Sequence, residues 1–363
     1  MGIVADARIG VAVLAIVLTA ACGGASEEPA EPVTFDAPSA TATPSASPAL
    51  VATDPATLLP LTGASTADAA LRTRPVVATV VRFGPGAAPV GLGGADIVYQ
   101  EPGRGAESRL VVLYHSQDAA RVGPIGATQP SDAGLLGLLK PAYAHSGGAD
   151  RLVTRLNGTG LVQLSPARSA GVFSTANSGF HTATATLRKR AGAGTGRPLQ
   201  LLVYGEVGQP LAPATGTPTT VRSLTVTVPG QPAQVWTRDA AGGWVQSGAG
   251  APRVRVANLL IQQTVYRELR SDKAGNTVRE ANVFGKGPVT AISGEQLVKG
   301  GWTRPGANAT ANYADTAGVP LRLAPGATWI LLAPAGTAVV PTGSTGTGGS
   351  GFGAPAGASV VAR

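Results

Sequence analysis

The chain has 363 residues, of which 44% are hydrophobic, 13% charged and 4% aromatic, with 50 glycines and 29 prolines. This length and apolar content suffice for two folded domains, and the glycine and proline content indicates turn-rich connections. The single cysteine, Cys22, excludes an internal disulfide. The formal net charge is +8. No basic patch is interleaved with aromatic residues, so we expect no nucleic-acid partner.

The first 21 residues have the pattern of an export signal. Arg8 precedes an uncharged run at 9–21, which suits the roughly 7–15 residues of a signal-peptide core better than the about 20 of a membrane span. The sequence LTAAC at 18–22 resembles the lipobox of bacterial lipoproteins, although Thr19 replaces the usual leucine. We predict a signal peptide at 1–21 and a diacylglyceryl anchor on Cys22 at the outer face of the plasma membrane. The alternative is an ordinary cleaved signal with Cys22 unmodified.

Two low-complexity segments flank the remaining chain. Residues 22–58 are rich in Pro, Ala, Ser and Thr and predict a disordered stalk, and the Gly-rich residues 341–363 predict a disordered tail. The stalk carries five acidic residues between 23 and 55 and no basic one, whereas residues 56–362 carry 26 Lys and Arg against 14 Asp and Glu. This basic body suits anionic wall polymers or lipid headgroups as partners.

The region between these segments has two kinds of apolar pattern, a mixed helix and strand pattern followed by a mainly strand pattern. We predict an α+β protein, with an N-terminal α/β domain at 59–207 and a smaller, mainly β domain at 218–336. Leucines at helical spacing predict a helix within 132–140 of the first domain. The predicted strands are at 76–82, 95–100, 109–115, 199–205, 221–228, 233–238, 253–266, 289–293 and 327–334.

A search for catalytic motifs finds none in a suitable context. The pattern G-x-G-x-x-G occurs at 346–351, but neither a strand before it nor a helix after it is predicted there. The histidines His115, His145 and His181 are too scattered for a local metal motif, so we expect no metal and no cofactor. His115 and His145 each end an apolar run, where an α/β sheet presents ligand-facing residues. A capping or turn role is the alternative.

The segment 96–107 concentrates acidic side chains. Asp96, Glu101 and Glu107 lie close in sequence, and Arg104 and Arg109 are interleaved with them. Paired carboxylates suit acid–base catalysis when one raises the pKa of its neighbour. A surface ion-pair network accounts for the same pattern.

Several ordered segments together resemble the DUF3048 family, a family of unknown function. They include RPVVATV (74–80), GADIVYQE (94–101), SRLVVLYHSQ (108–117), VGPIGATQPSD (122–132), AHSGG (144–148), VRVANLLIQ (254–262) and VKGGWTRPG (298–306). The resemblance covers about 60–335 and implies a two-domain envelope lipoprotein without an assigned reaction. Asp96, Arg109, His145 and His181 match polar positions of the family, which makes them candidate ligand-binding or catalytic residues.

At other positions the chain departs from the family pattern. The family tends to have Glu where this chain has Gln100 and Arg104, and Arg where it has Gly126 and Gln129. We therefore expect a non-enzymatic binding or scaffold role in the cell envelope, with an anionic wall polymer or a wall-synthesis protein as partner. One alternative is a hydrolase or transferase acting on a phosphate-containing wall polymer, with Asp96, Arg109 and His145 or His181 in one cleft. The other is a solute-binding lipoprotein.

Overall fold

A long mixed sheet runs through the chain and positions most of its polar side chains. A computed structural model describes residues 58–103, 105–176, 179–191, 198–214, 218–248, 251–252, 254–270 and 277–342, which belong to one compact unit. The predicted signal peptide, Cys22 and the stalk before Leu58 lie outside the described residues, as does the predicted tail beyond Thr342. Within the described ranges, no helix combines the length and apolarity needed to cross a membrane.

The described helices all precede residue 192, mixed with strands. The helices are α1 (Ala69–Thr73), α2 (Asp132–Leu136), α3 (Asp150–Asn157) and α4 (Thr184–Ala191). The strands are β1 (Val77–Phe83), β2 (Ile97–Pro102), β3 (Ser108–Tyr114), β4 (Ala142–Ala144), β5 (Val162–Leu164), β6 (Ser174–Ala176) and β7 (Gly179–His181).

The described part of the chain after residue 214 contains strands and no helix. These strands are β8 (Thr219–Thr220), β9 (Ser223–Thr227), β10 (Gln234–Arg238), β11 (Trp244–Ser247), β12 (Arg255–Val256), β13 (Asn258–Gln263), β14 (Tyr266–Arg270), β15 (Thr277–Ala281), β16 (Gly285–Ser293), β17 (Gln296–Arg304), β18 (Asn312–Asp315), β19 (Thr328–Ala333) and β20 (Ala338–Thr342). The predicted class, an α/β region followed by a mainly β region, is confirmed.

The large sheet has the strand order β18-β17-β16-β13-β19-β2-β3-β1-β4-β5, and β8 pairs with β17. The apolar runs of β2 and β19 are buried at every residue, as expected for strands covered on both faces. Helix α2 and its leucines contribute to the core on one face, and α4 contributes to the core on the other. The five-stranded sheet β12-β11-β10-β9-β20 also covers the latter face, where Trp236 packs edge-on against Trp329.

The middle of the large sheet joins the two sequence regions. Strand β19 pairs in parallel with β2 on one side and with β13 on the other. The indole N–H of Trp329 donates to the side-chain oxygen of Gln100 at 3.0 Å, and the Gln100 amide donates to Ser108 at 3.3 Å. The Gln100 side chain therefore connects the two sequence regions by hydrogen bonds inside the core.

Four predicted elements differ from the structure. The single strand expected at 253–266 is divided into β12, β13 and the first residue of β14. The helix expected within 132–140 ends at Leu136, and the turn that follows leads to Lys140 with a positive φ of 48°. The run at 199–205 is not a strand. Its Leu202 is buried in the core, and only Tyr204 forms a bridge, with Leu323, because an apolar run indicates burial but does not supply a pairing partner. Residues 341–342, expected in the tail, complete β20.

Candidate functional site

A cleft of about 380 Å³ opens where the ends of four structural segments meet. These are the end of β1, the β2–β3 hairpin, the loop at 126–129 and the β14–β15 hairpin. Charged and aromatic side chains from three of these segments and the side chain of Gln129 from the loop at 126–129 line it. They include Arg82, Glu101, Arg109, Gln129, Tyr266 and Arg279.

Arg109 occupies the floor of the cleft between two carboxylates. Its guanidinium lies 3.1 Å from Glu101 and 2.8 Å from Asp132. Glu101 stands opposite Arg109 on the neighbouring strand, and Asp132 begins α2. Both carboxylates are almost completely buried. The interleaved charges of 96–107 thus give a buried ion triad here rather than the expected surface network.

The carboxylate of Asp132 is held by further donors. Its Oδ2 accepts hydrogen bonds from Thr128 Oγ1 at 2.8 Å, from the backbone N–H of Gln129 at 2.9 Å and from the Tyr143 hydroxyl at 2.6 Å. Such a set of hydrogen bonds compensates for removing a carboxylate from water.

Electrostatics within the triad favour a charged Arg109. Burial alone would lower the pKa of Arg109, but Asp132 and Glu101 outweigh it and raise that pKa. Burial raises the pKa of Glu101, and the neighbouring Asp132 acts in the same direction. Arg109 and a hydrogen bond of 2.6 Å from Ser131 oppose this rise. Glu101 and Asp132 therefore hold the Arg109 guanidinium in place and already neutralise its positive charge.

His145 adjoins the triad through Tyr143. The two rings stack with centroids 5.3 Å apart, and Nδ1 of His145 accepts from the Gly147 amide at 3.1 Å. Burial lowers the pKa of His145, whereas the Gly147 carbonyl, 3.3 Å from Nδ1, acts in the opposite direction. The structure thus brings Arg109 and His145 into one network, although His145 does not line the cleft.

Asp96 lies at the opposite end of the same strand pair. Ile97 pairs with Leu113, whereas Glu101 pairs with Arg109, so at about 3.3 Å per residue Asp96 and Glu101 are roughly 16 Å apart along the strand. Asp96 accepts from the backbone of His115 and from the backbone and hydroxyl of Ser116. Burial raises its pKa, against these hydrogen bonds. The Asp96 carboxylate fixes the turn after β3 through these hydrogen bonds.

His181 occupies a third location. Its Nε2 lies 3.4 Å from the guanidinium of Arg121 and its Nδ1 lies 3.0 Å from the Gly179 carbonyl. Burial and Arg121 lower its pKa. The single cleft expected for an enzyme built on Asp96, Arg109 and a histidine therefore does not form, because the strand length separates Asp96 from Arg109.

His115 gives the fold a testable pH dependence. Burial, with Arg74 and Arg188 nearby, lowers its pKa from 6.5 to about 4. The unfolded chain therefore binds a proton more readily than the folded one, and acidification from pH 7 to 4.5 costs about 2 kcal/mol of stability through this group. Urea unfolding of the wild type and His115→Gln at both pH values measures this. We expect the pH-dependent loss of stability to be smaller by that amount in the variant, and equal losses would contradict the assignment.

Family models match most of the folded chain. The model of the DUF3048 N-terminal domain, a protein of unknown function, matches residues 61–192, and that of the C-terminal domain matches residues 231–330. The chain belongs to the DUF3048 family. The crystal structure of the YerB protein from Bacillus subtilis is similar in fold, with a TM-score of 0.65 and 18% identity over 78% of this chain and 99% of that one. No curated protein matches the chain.

Positions 126 and 129, where arginine is expected from the resemblance to the family, both lie on the same cleft. Gly126 and Gln129 both line it, and a side chain at Gly126 would come within 3.3 Å of Arg82. Among the described residues, the arginines that line the cleft are Arg82, Arg109 and Arg279.

Several residues of the cleft were not singled out from the sequence. Tyr266 and Arg279 line the cleft but lie more than a hundred residues beyond Arg109 in chain order. Asp132, which is buried and pairs with Arg109 without lining the cleft, is predicted from the sequence only as part of a helix. The available signal for Asp132 was an acidic residue at the start of an apolar helical run, which usually indicates a solvent-exposed first turn. Among the described residues, no group of three or more His, Cys, Asp or Glu side chains is arranged to hold a metal ion.

Proposed function

We propose that this DUF3048 protein is a lipid-anchored envelope lipoprotein with a non-enzymatic binding role, and that the cleft holds an anionic wall polymer. The observation that carries this proposal is the pair of arginines, Arg82 on β1 and Arg279 on β15, that line the same cleft. The anchor is the expected acyl group on Cys22, and the 36 residues from 23 to 58 would extend roughly 33 Å as a flexible coil.

The arginines of the cleft differ in how much of their charge is available. Arg109 is committed to Glu101 and Asp132. Arg82 is exposed and forms no ion pair with any described residue. Arg279 lies 3.9 Å from Glu268 and 3.4 Å from two backbone carbonyls. Guanidinium groups in such positions gain by pairing with phosphate or carboxylate groups of a ligand.

A second candidate function rests on Glu101. This carboxyl lines the cleft and its pKa is raised by burial, a combination found at catalytic acids. A hydrolase or transferase acting on the same polymer would use it as a proton donor. Ser131 and Arg109 already bond its two oxygens, which favours a structural role, so the binding function is the main proposal.

Binding to cell-wall sacculi tests the proposal. The full chain in detergent is mixed with sacculi that retain or lack their anionic polymers, and the bound fraction is measured at low and high salt. We expect binding that needs the anionic polymer, weakens with salt and falls about tenfold in affinity in Arg82→Ala, because charge-assisted hydrogen bonds are lost. Arg151→Ala is the control, since Arg151 is exposed on α3 outside the cleft.

The other outcomes separate the alternatives. Fragments released into the supernatant by the wild type and absent with Glu101→Gln would establish the enzyme. If the full chain neither binds nor releases material, the polymer is not its ligand, and crosslinking in intact membranes would then identify a protein partner.

A further inference from the structure

The composition of the cleft narrows the class of ligand. Besides Arg82 and Arg279, apolar and aromatic surfaces line it, among them Phe83, Pro102 and Tyr266. A bare inorganic anion would leave these surfaces unused, whereas an apolar ligand would leave the arginines without partners. A ligand that satisfies both has a ring or carbon face and carries an acidic group.

The walls of the cleft are fixed before any ligand binds. The Tyr266 hydroxyl donates to the Leu332 carbonyl at 2.7 Å, and the Arg279 guanidinium lies 4.5 Å from the centre of the Tyr266 ring. Glu280 pairs with Arg155 of α3 at 2.8 Å, and this pair holds the β14–β15 hairpin against α3. A wall held in this way loses little entropy when a ligand binds.

The cleft also presents acceptors for hydroxyl groups. The Glu107 side chain is exposed, lines the cleft and forms no hydrogen bond or ion pair with any described residue. The side-chain oxygen of Gln129 is buried, so the Glu107 carboxylate is the acceptor that a ligand in the cleft can reach. Carboxylate and amide oxygens accept hydrogen bonds from hydroxyls, which are the groups that a sugar ring carries besides its acidic one.

We propose that the cleft binds an anionic saccharide unit, a sugar carrying a phosphate or carboxylate. The acidic group lies between Arg82 and Arg279, the carbon face of the ring packs on the aromatic and proline surfaces, and hydroxyls donate to Glu107. Its volume of about 380 Å³ is at the lower end of the roughly 300–1,000 Å³ of small-molecule sites, which matches one such unit of a longer polymer. This inference rests on the proposed binding function and names the chemistry recognised.

Isothermal titration of the full chain in detergent tests the inference. The probes are glucose 6-phosphate, glucuronate, glucose, inorganic phosphate and the dipeptide alanyl-alanine. We expect one of the two acidic sugars to bind at least ten times more tightly than glucose or inorganic phosphate. Arg82→Ala and Glu107→Ala should each weaken that binding several-fold, and Arg151→Ala should leave it unchanged.

Four results would overturn the inference. Equal affinity for inorganic phosphate would make the cleft a simple anion site, and preferred binding of alanyl-alanine would make it a site for zwitterions. Binding of the acidic sugar that is unchanged in Arg82→Ala would place it elsewhere. If the acidic sugars fail to bind while sacculi still do, the inference fails and the proposed binding function stands.

Discussion

Replacing Arg109 by leucine is expected to lower the free energy of unfolding by about 3–5 kcal/mol, the usual cost of breaking a buried ion pair on one side. The variant leaves Glu101 and Asp132 buried together without a compensating cation. Urea unfolding at pH 8 measures the loss. The loss should shrink at pH 5, because burial and the neighbouring Asp132 raise the pKa of Glu101, and uptake of a proton by Glu101 removes buried charge.

Arg82→Leu is the matched control for this experiment. Arg82 is on β1 beside Arg109 on β3, but it is exposed and pairs with no described carboxylate. A surface replacement of this kind changes stability by about 0.5 kcal/mol or less. Equal losses in the two variants would mean that the triad does not stabilise the fold.

A chain that ends at residue 214 is expected not to fold. Such a truncation removes β13 and β19, which leaves one side of β2 unpaired and exposes the core surface that Trp329 and Ile330 cover. An open strand in the middle of a sheet favours aggregation. We expect no cooperative thermal transition by circular dichroism and aggregated material in size-exclusion chromatography.

A chain that ends at Thr342 keeps every strand of the described residues and serves as the control, with an expected unfolding curve like that of the full chain. The full chain itself should unfold in a single transition, because one sheet contains strands of both regions. A folded, monomeric fragment ending at residue 214, or two separate transitions in the full chain, would contradict this expectation.

Local apolar runs predicted much of the secondary structure. The runs at 76–82, 95–100, 109–115 and 327–334 correspond to β1, β2, β3 and β19 within two residues at each end. Their neighbours in the sheet were not predictable, because the period of a strand reports its burial and not its partner. The pairing of β2 with β19 in particular depends on contacts across most of the chain.

The site was predictable only in part for the same reason. Arg109 and Glu101 lie within one hairpin, and their proximity follows from the register. The tertiary fold brings Tyr266 and Arg279 to the cleft and Asp132 to the buried ion triad, and no local pattern predicts these positions. Asp96 was singled out by its charge, whereas its hydrogen bonds to His115 and Ser116 give it a structural role.

The position of β19 also determines when the fold can be completed during synthesis. Trp329 and its partner Gln100 are separated by 229 residues, and loops of this length make sheet formation slow. Because the chain is made from its N-terminus, β2 and its neighbour β3 are synthesised long before β19, the neighbour on the other side of β2. The central sheet is therefore a late product of folding, and a chain that crosses a membrane before its C-terminal part is made would cross without it.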